Sequence, residues 1–166
     1  MSSGGERKRC NGQALVEFAL VAPILFVLIL GIIEAGRFIF YYHSLNNGIR
    51  EGARYAIVHG ENAFDRCPSG PLPPGSNANN CDPAGDKVRE AVRRGSFGLN
   101  PSGFTYGWPG DPRFPLYFYA DGSPNGSNVS GNNVLVRVEY AYTALIPIDF
   151  LPDLTIRSES KLVINN

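Results

Sequence analysis

Residues 14–33, ALVEFALVAPILFVLILGII, are apolar on every side, and Glu17 is the only charge among them. About 20 residues at roughly 1.5 Å each cross a hydrocarbon core of ~30 Å. From Phe38 the pattern changes. Phe38, Tyr41, Leu45, Ile49, Gly52 and Ala56 recur at steps of three or four, and Arg37, Ser44, Asn47, Glu51 and Arg54 fall on the other side. Such spacing is one face of a helix. A single helix is therefore expected from about Ala14 to Val58, stopped by Gly60. Glu34 and Arg37, three apart, are spaced to pair where this helix leaves the apolar run. Pro23 removes a backbone donor and crowds the carbonyl of Ala19, so a kink is expected there. A membrane span tolerates such a break.

Downstream the periods are shorter. Asp86–Arg94, DKVREAVRR, reads as a small amphipathic helix, with Val88, Ala91 and Val92 on one side and Gly95 ending it. Residues 133–140 alternate, with Val134, Val136, Val138 and Tyr140 against Leu135, Arg137 and Glu139, which predicts a half-buried strand. Residues 155–164 and the aromatic stretch 114–120 are two further strands, the latter an edge because of Pro115. Pro147 and Pro152 mark turns before the last strand. A small sheet cannot bury one face without a cover. The expected fold class is α+β: a long N-terminal transmembrane helix continuing into a small extracytoplasmic domain, whose antiparallel sheet packs on the helix's outer part.

Composition narrows the picture. The 166 residues leave room for one anchor and one small domain. Lys+Arg and Asp+Glu balance at 15 each, so no global charge points to nucleic acid. Gly and Pro gather in the middle, as in a loop-rich domain. Cys67 and Cys81 bracket CPSGPLPPGSNANNC, beyond the apolar run, whereas Cys10 precedes it. Either the pair forms a disulfide, worth roughly 3 kcal/mol in the chain-entropy model, or both are free thiols. The first reading suits an oxidising, extracytoplasmic site. No Cys-x-x-Cys occurs, so zinc is not expected. Arg7, Lys8 and Arg9 precede the run, and Arg37 and Arg50 are the nearest positive charges after it. This bias puts the N-terminus in the cytoplasm and the bulk outside, as a single-pass protein. A conventionally cleaved secretory signal fits poorly, because its apolar core is about 7–15 residues long.

Glu17 needs a reason, since a carboxylate deep in a bilayer costs roughly 2.5–3.5 kcal/mol or more. A basic leader, Gly12, Gln13, Glu17 at the fifth position after the glycine, Phe18 and an apolar helix follow in that order. The order resembles the class III signal of type IV pilins, which a prepilin peptidase cuts after the glycine. The resemblance implies a leader over 1–12, a helix over 13–58 and an outer domain over 59–166. Cleavage would leave an α-ammonium on Gln13, one turn from Glu17 of its own or a neighbouring subunit. Opposite charges attract strongly in low dielectric, which offsets desolvation. The plain alternative is that Glu17 snorkels to the inner headgroups.

Together with GQALVEFALVAPIL, the segment GIIEAGRFIFYYHSLNNGIREGARYA is similar to the TadE-like family of the tight-adherence (Flp) pilus system. Gly12, Gln13, Glu17, Phe18, Pro23, the Glu34–Gly36–Arg37 cluster and Arg50–Ala56 carry the likeness, and VRVEYAYTALIPI repeats it more weakly. The middle, about 60–130, carries no such signature. The resemblance implies a minor pseudopilin that acts in assembly or priming of the pilus. Its implied partners are the prepilin peptidase, other pilins or pseudopilins and the assembly platform in the membrane, with incorporation in the pilus left open.

Small residues recur four apart, as Gly31–Ala35 and Gly48–Gly52–Ala56. A helical glycine costs up to about 1 kcal/mol. Close approach of another subunit's helix or of the domain's own sheet would justify it; tolerated glycine without a partner is the alternative. His43 and His59 have no evident nucleophile beside them, and G-x-S-x-G, H-E-x-x-H and phosphate-cradling loops are absent. No enzyme activity, metal or cofactor is expected. Asp121, Ser123, Asn125 and Gly126 partly match a calcium loop, but Asn132 replaces its bidentate acid, so a solvated hairpin loop is expected. Asn125 and Asn128 head glycosylation-type triplets. A second function class is a membrane-tethered binding module using loops 60–85 and 95–113. Phe104, Tyr106 and Trp108 would form its patch, unless they cap the sheet core.

Overall fold

The computed structural model describes residues 11–62, 67–70, 81–82, 85–106, 116–119, 129–145 and 154–165. They form α1 (Asn11–Val58), α2 (Asp86–Gly95), a 3-10 turn (Pro101–Gly103), β1 (Phe104–Tyr106), β2 (Leu116–Tyr119), β3 (Asn133–Tyr142) and β4 (Leu154–Val163). The class is α+β, a long apolar helix followed by a small antiparallel sheet. Two compact units divide the chain, one ending at Arg37 and the other starting at Phe38.

The first unit is the apolar part of α1, which stays helical through Pro23. Its large side chains from Leu15 to Ile33 are all exposed. In water so much bare apolar surface would drive association. Among the described residues α1 alone is long and apolar enough to cross a membrane, with a mean hydropathy of 2.8 over its best 18 residues. The Arg37 guanidinium meets the Glu34 carboxylate at 3.1 Å at the end of this unit.

The second unit builds one core from the rest of α1, α2 and the sheet. Leu45, Ile49, Ala53 and Ala56 of α1 are buried with Val88 and Val92 of α2 and with Val134, Val136 and Val138 of β3. Ring contacts tie helix to sheet: Tyr41 lies 5.9 Å from Tyr140 and 5.5 Å from Tyr142, and Phe38 lies 5.4 Å from Tyr142. The Ser158 hydroxyl of β4 bonds to the Asn46 side chain.

β3 is the spine of the sheet. One edge pairs with β4 along its whole length, from Asn133↔Val163 to Tyr142↔Leu154. The other edge is shared end to end by β2, opposite Asn133–Val136, and β1, opposite Val138–Tyr140. All pairings are antiparallel. β1 is an addition to the three expected strands, because three residues are too few to show a period. β4 begins one residue earlier than expected and ends at Val163. The backbone of Ile164 still bonds Gly131 and Asn132, at 2.8 Å each. The described part of the edge strand expected over 114–120 is β2; Pro115, Pro147 and Pro152 lie outside the described residues.

The alternation of β3 holds on one face only. Val134, Val136, Val138 and Tyr140 are buried, as expected, but so are Leu135 and Glu139 on the other face. Glu139, 7% exposed, takes the Arg157 guanidinium at 2.9 Å from its register partner on β4. Arg137 and Glu159 repeat the device at 3.2 Å. Opposite charges directly across two strands each add roughly 0.2–1 kcal/mol.

Ile49 is 1% exposed at the centre of the core. Ile49→Ala is expected to lower the unfolding free energy by about 2–5 kcal/mol through transfer and cavity terms. Exposed Arg54→Ala should change it by less than about 0.5 kcal/mol. Denaturant unfolding of the full chain in detergent, followed by near-UV circular dichroism, makes the comparison.

Candidate functional site

Gly12, Gln13, Glu17 and Phe18 all fall in the opening turns of α1 and are exposed. The Gln13 side-chain amide donates to Glu17 Oε1 at 3.1 Å, an i,i+4 contact. The side chain of residue 13 therefore reaches the carboxylate one turn away. Around Gly12 nothing stands within 4 Å of where a Cβ would be. Arg7, Lys8, Arg9 and Cys10 lie outside the described residues.

Gly48 and Gly52 sit where α2 presses on α1. A Cβ on Gly48 would stand 2.5 Å from the carbonyl oxygen of Val92 and would overlap the Ser96 side chain. One on Gly52 would overlap a methyl of Val92 and stand 3.4 Å from the Val88 carbonyl oxygen. From the other side, a Cβ on Gly95 would come within 2.8 Å of Gly48 Cα. Glycine faces glycine at this crossing, so the backbones approach as only small residues permit. Ala56, one turn on, is fully buried in the core. The neighbour is α2 of the same chain, which the glycine spacing does not itself name. Gly31 and Gly36, by contrast, have nothing within 4 Å.

What holds α2 in place is a buried acid that the sequence pattern does not reveal. Asp82 accepts from the backbone amides of Asp86 at 2.7 Å and Lys87 at 3.1 Å, and from the Ser69 hydroxyl at 2.8 Å. It caps the first turn of α2 from outside the helix, while Gly85, at the N-cap position, makes the left-handed turn (φ 71°) and offers no side chain. Cys67 and Cys81 are disulfide-bonded, with Cα atoms 5.4 Å apart. The bond fixes Asp82 beside Ser69, whose amide donates to the His59 carbonyl at 2.8 Å just past α1. Disulfide, acid and α2 thus form one clamp on the end of α1. The available clue to Asp82 was the turn chemistry of DPAG directly ahead of a helix.

An open polar cleft of about 470 Å³ flanks the same seam, lined by Asn47, Arg50, Glu51, Arg54, Arg94 and Gly95. Three guanidinium groups against one carboxylate make it electropositive. His59 Nδ1–H donates to the Tyr55 carbonyl at 2.8 Å, and the imidazole stacks on the Tyr55 ring at 3.8 Å. His43 packs edge-on against Tyr42. Among the described residues no group of three or more His, Cys, Asp or Glu gathers as a metal site would need.

The aromatic patch resolves differently for its members. Tyr106 is buried; its hydroxyl donates to the Arg89 carbonyl at 3.3 Å and accepts from Arg93 Nε at 3.1 Å. Burial pushes the pKa of this hydroxyl up, against the hydrogen bond and charge of Arg93 and the charge of Arg89. Phe104 packs on Tyr140 at 5.3 Å, against the core. Trp108 and the calcium-like residues Asp121, Ser123, Asn125 and Gly126, with Asn128, lie outside the described residues.

Residues 12–54 match the model of a protein family described as TadE-like protein. No curated protein and no solved structure matches the chain. The matched span includes the Gly12–Glu17 motif, the apolar run and both seam glycines. It stops short of α2, the disulfide and the sheet.

Two substitutions should act with opposite sign. Gly36→Ala, in open space, should stabilise α1 by up to about 1 kcal/mol. Gly48→Ala has the same propensity gain but drives a methyl into the Val92 carbonyl, so a net loss is expected; thermal unfolding of the full chain in detergent reads both. Separately, Cys67→Ser with Cys81→Ser should cost roughly 3 kcal/mol and lower hydrogen-exchange protection of α2 before that of β3.

Proposed function

We propose that this chain is a TadE-like minor pseudopilin. On this reading it is a single-pass inner-membrane protein that acts in assembly or priming of a tight-adherence (Flp) pilus, after a prepilin peptidase removes residues 1–12. The observation that carries the reading is the ordered Gly12, Gln13, Glu17 and Phe18 at the head of α1, inside the span that matches the TadE-like family. The exposed apolar run supports the anchor, and the disulfide supports an extracytoplasmic domain.

The chemistry follows from the first turn. Hydrolysis of the Gly12–Gln13 peptide bond leaves a carboxylate on the leader and an α-ammonium on Gln13. The Glu17 carboxylate lies one turn away, within reach of residue 13 through its side chain at 3.1 Å. Before the cut the acid has only an amide donor. Afterwards it has a full positive charge, on its own chain or on a neighbour, and the cost of holding it near lipid falls. A subunit drawn to an unpaired Glu17 would be set in register by that pairing. The prepilin peptidase, other pilins or pseudopilins and the assembly platform are the partners this implies.

A membrane-tethered binding module is the other reading of an anchored domain. Two of the three aromatic residues proposed for its patch, Phe104 and Tyr106, are engaged by the core, so no observation favours it.

Mass spectrometry of the protein from a host with an active prepilin peptidase should give a mature N-terminus at Gln13. Gly12→Val should retain the leader. Glu17→Gln should still be cut but should reduce piliation. A chain starting at Met1, or cut near Ala35, would sink the proposal.

A further inference from the structure

The polar cleft beside the glycine seam plays no part in the proposed processing of α1. It belongs wholly to the second unit and opens between α1 and α2, with a volume of about 470 Å³. Asn47, Arg50, Glu51 and Arg54 line it from α1, and their steps of three and four place them on one helix face. All four are exposed. The close approach of Gly95 to Gly48 brings the end of α2 onto this face, and with it the exposed Arg94.

Ordinary reasons account for Arg94. It pairs with Glu90 at 3.4 Å, and a cation suits the C-terminal end of a helix. They do not account for Arg50 and Arg54. Like charges four apart on a helix oppose each other. Among the described residues no carboxylate comes within ion-pair distance of either, Glu51 included. Other arginines of the unit do close on acids: Arg89 on Asp86 at 2.6 Å, Arg157 on Glu139 at 2.9 Å and Arg137 on Glu159 at 3.2 Å. Three guanidinium groups against the one carboxylate of Glu51 leave two positive charges for a ligand to meet.

The spacing narrows the ligand. Arg50 and Arg54 are separated by about 6 Å along α1. Side chains two apart in an extended peptide share a face and lie roughly 6.6–6.8 Å apart. A guanidinium takes a carboxylate through two parallel hydrogen bonds, and the Asn47 amide adds further donors. We infer that the cleft binds an acidic segment of a partner protein, extended along the α1–α2 seam, with carboxylates at alternate positions on Arg50 and Arg54. Arg94 supplies the third cation from α2. The partner is a different chain, because in a second copy Asp86, Glu90, Glu139 and Glu159 already hold arginines. The inference does not depend on Gly12–Phe18 being a processing signal, and either can fail without the other.

The test titrates the full chain, in a zwitterionic detergent, into a rhodamine-labelled peptide, Gly-Glu-Ser-Glu-Gly, blocked at both ends and followed by fluorescence anisotropy. Saturable binding is expected at low salt and should weaken as salt rises. The Gly-Gln-Ser-Gln-Gly peptide should not bind measurably. Arg50→Gln with Arg54→Gln should weaken binding by at least about tenfold, since each loses a charge-assisted pair. Both side chains are exposed, so the double variant should keep the near-UV circular dichroism of the parent. Lys161→Gln, on β4 opposite Leu135, removes a charge elsewhere and should change binding by less than about twofold. Absence of saturable binding, or an equal loss with Lys161→Gln, would overturn the inference. Inorganic phosphate that displaces the peptide at a far lower concentration than glutarate would overturn it in favour of a phosphate-bearing ligand. An Arg50- and Arg54-dependent dimer in sedimentation velocity that the peptide does not dissociate would overturn it in favour of a second copy.

Discussion

Backbone amides in hydrocarbon have no water to bond, so a membrane-spanning run like that of α1 has to meet its hydrogen bonds within its own helix, apart from the donor that Pro23 lacks. Nucleating a helix is the expensive step, and extension is cheap by comparison. A helix fixed across a bilayer hands its next turns to whatever follows it already nucleated. The Phe38–Val58 part of α1 exploits this. It carries Gly48 and Gly52, each costing up to about 1 kcal/mol in an isolated helix, and remains helical through both. The glycines can then serve packing instead of weakening the element that bears them.

α2 lacks that advantage. Ten residues are too few for a stable isolated helix, so its existence depends on what surrounds it. Val88, Ala91 and Val92 bury one face. Asp82 satisfies two amides of its first turn. The Cys67–Cys81 bond fixes the acid, and the seam with Gly48 fixes the axis. Because a buried carboxylate costs dearly without donors, Asp82 and the start of α2 have to form together. The disulfide therefore acts on the packing of α1 through Asp82, α2 and the glycine seam, all of them away from α1's apolar run.

Long periods were the easiest features to read from sequence. The apolar run and the 3.6-residue face gave α1 to within three residues at its start, and its end at Val58 as observed. Short or one-sided features were harder. β1 has three residues, FTY, and its strand character comes from pairing with Val138–Tyr140 rather than from itself. Alternation in β3 named the helix-facing side chains correctly but assigned Leu135 and Glu139 to an open face, because period alone cannot say whether the second face is covered. Asp82 was invisible for a different reason: it caps from four residues before Asp86, across a turn. The residues proposed for processing, Gly12 to Phe18, stand out only through the order in which they occur, since no contact in α1 singles out Gly12.

The family match ends at Arg54, before the helix that fills the glycine seam. The asymmetry has a physical basis. Gly48 and Gly52 meet their neighbour by lacking a Cβ, a requirement that only glycine meets. The reply comes from side chain and backbone together: the Ser96 side chain and the Val92 carbonyl oxygen meet Gly48, a Val92 methyl meets Gly52, and Gly95 comes up against the Gly48 Cα. Several residue types supply a methyl or a hydroxyl, so a different short helix with one small residue at the crossing would seat as well. The demand is written in the two glycines of α1, whereas the reply leaves the choice of side chain wider. A sequence model can therefore capture α1 and pass over its partner.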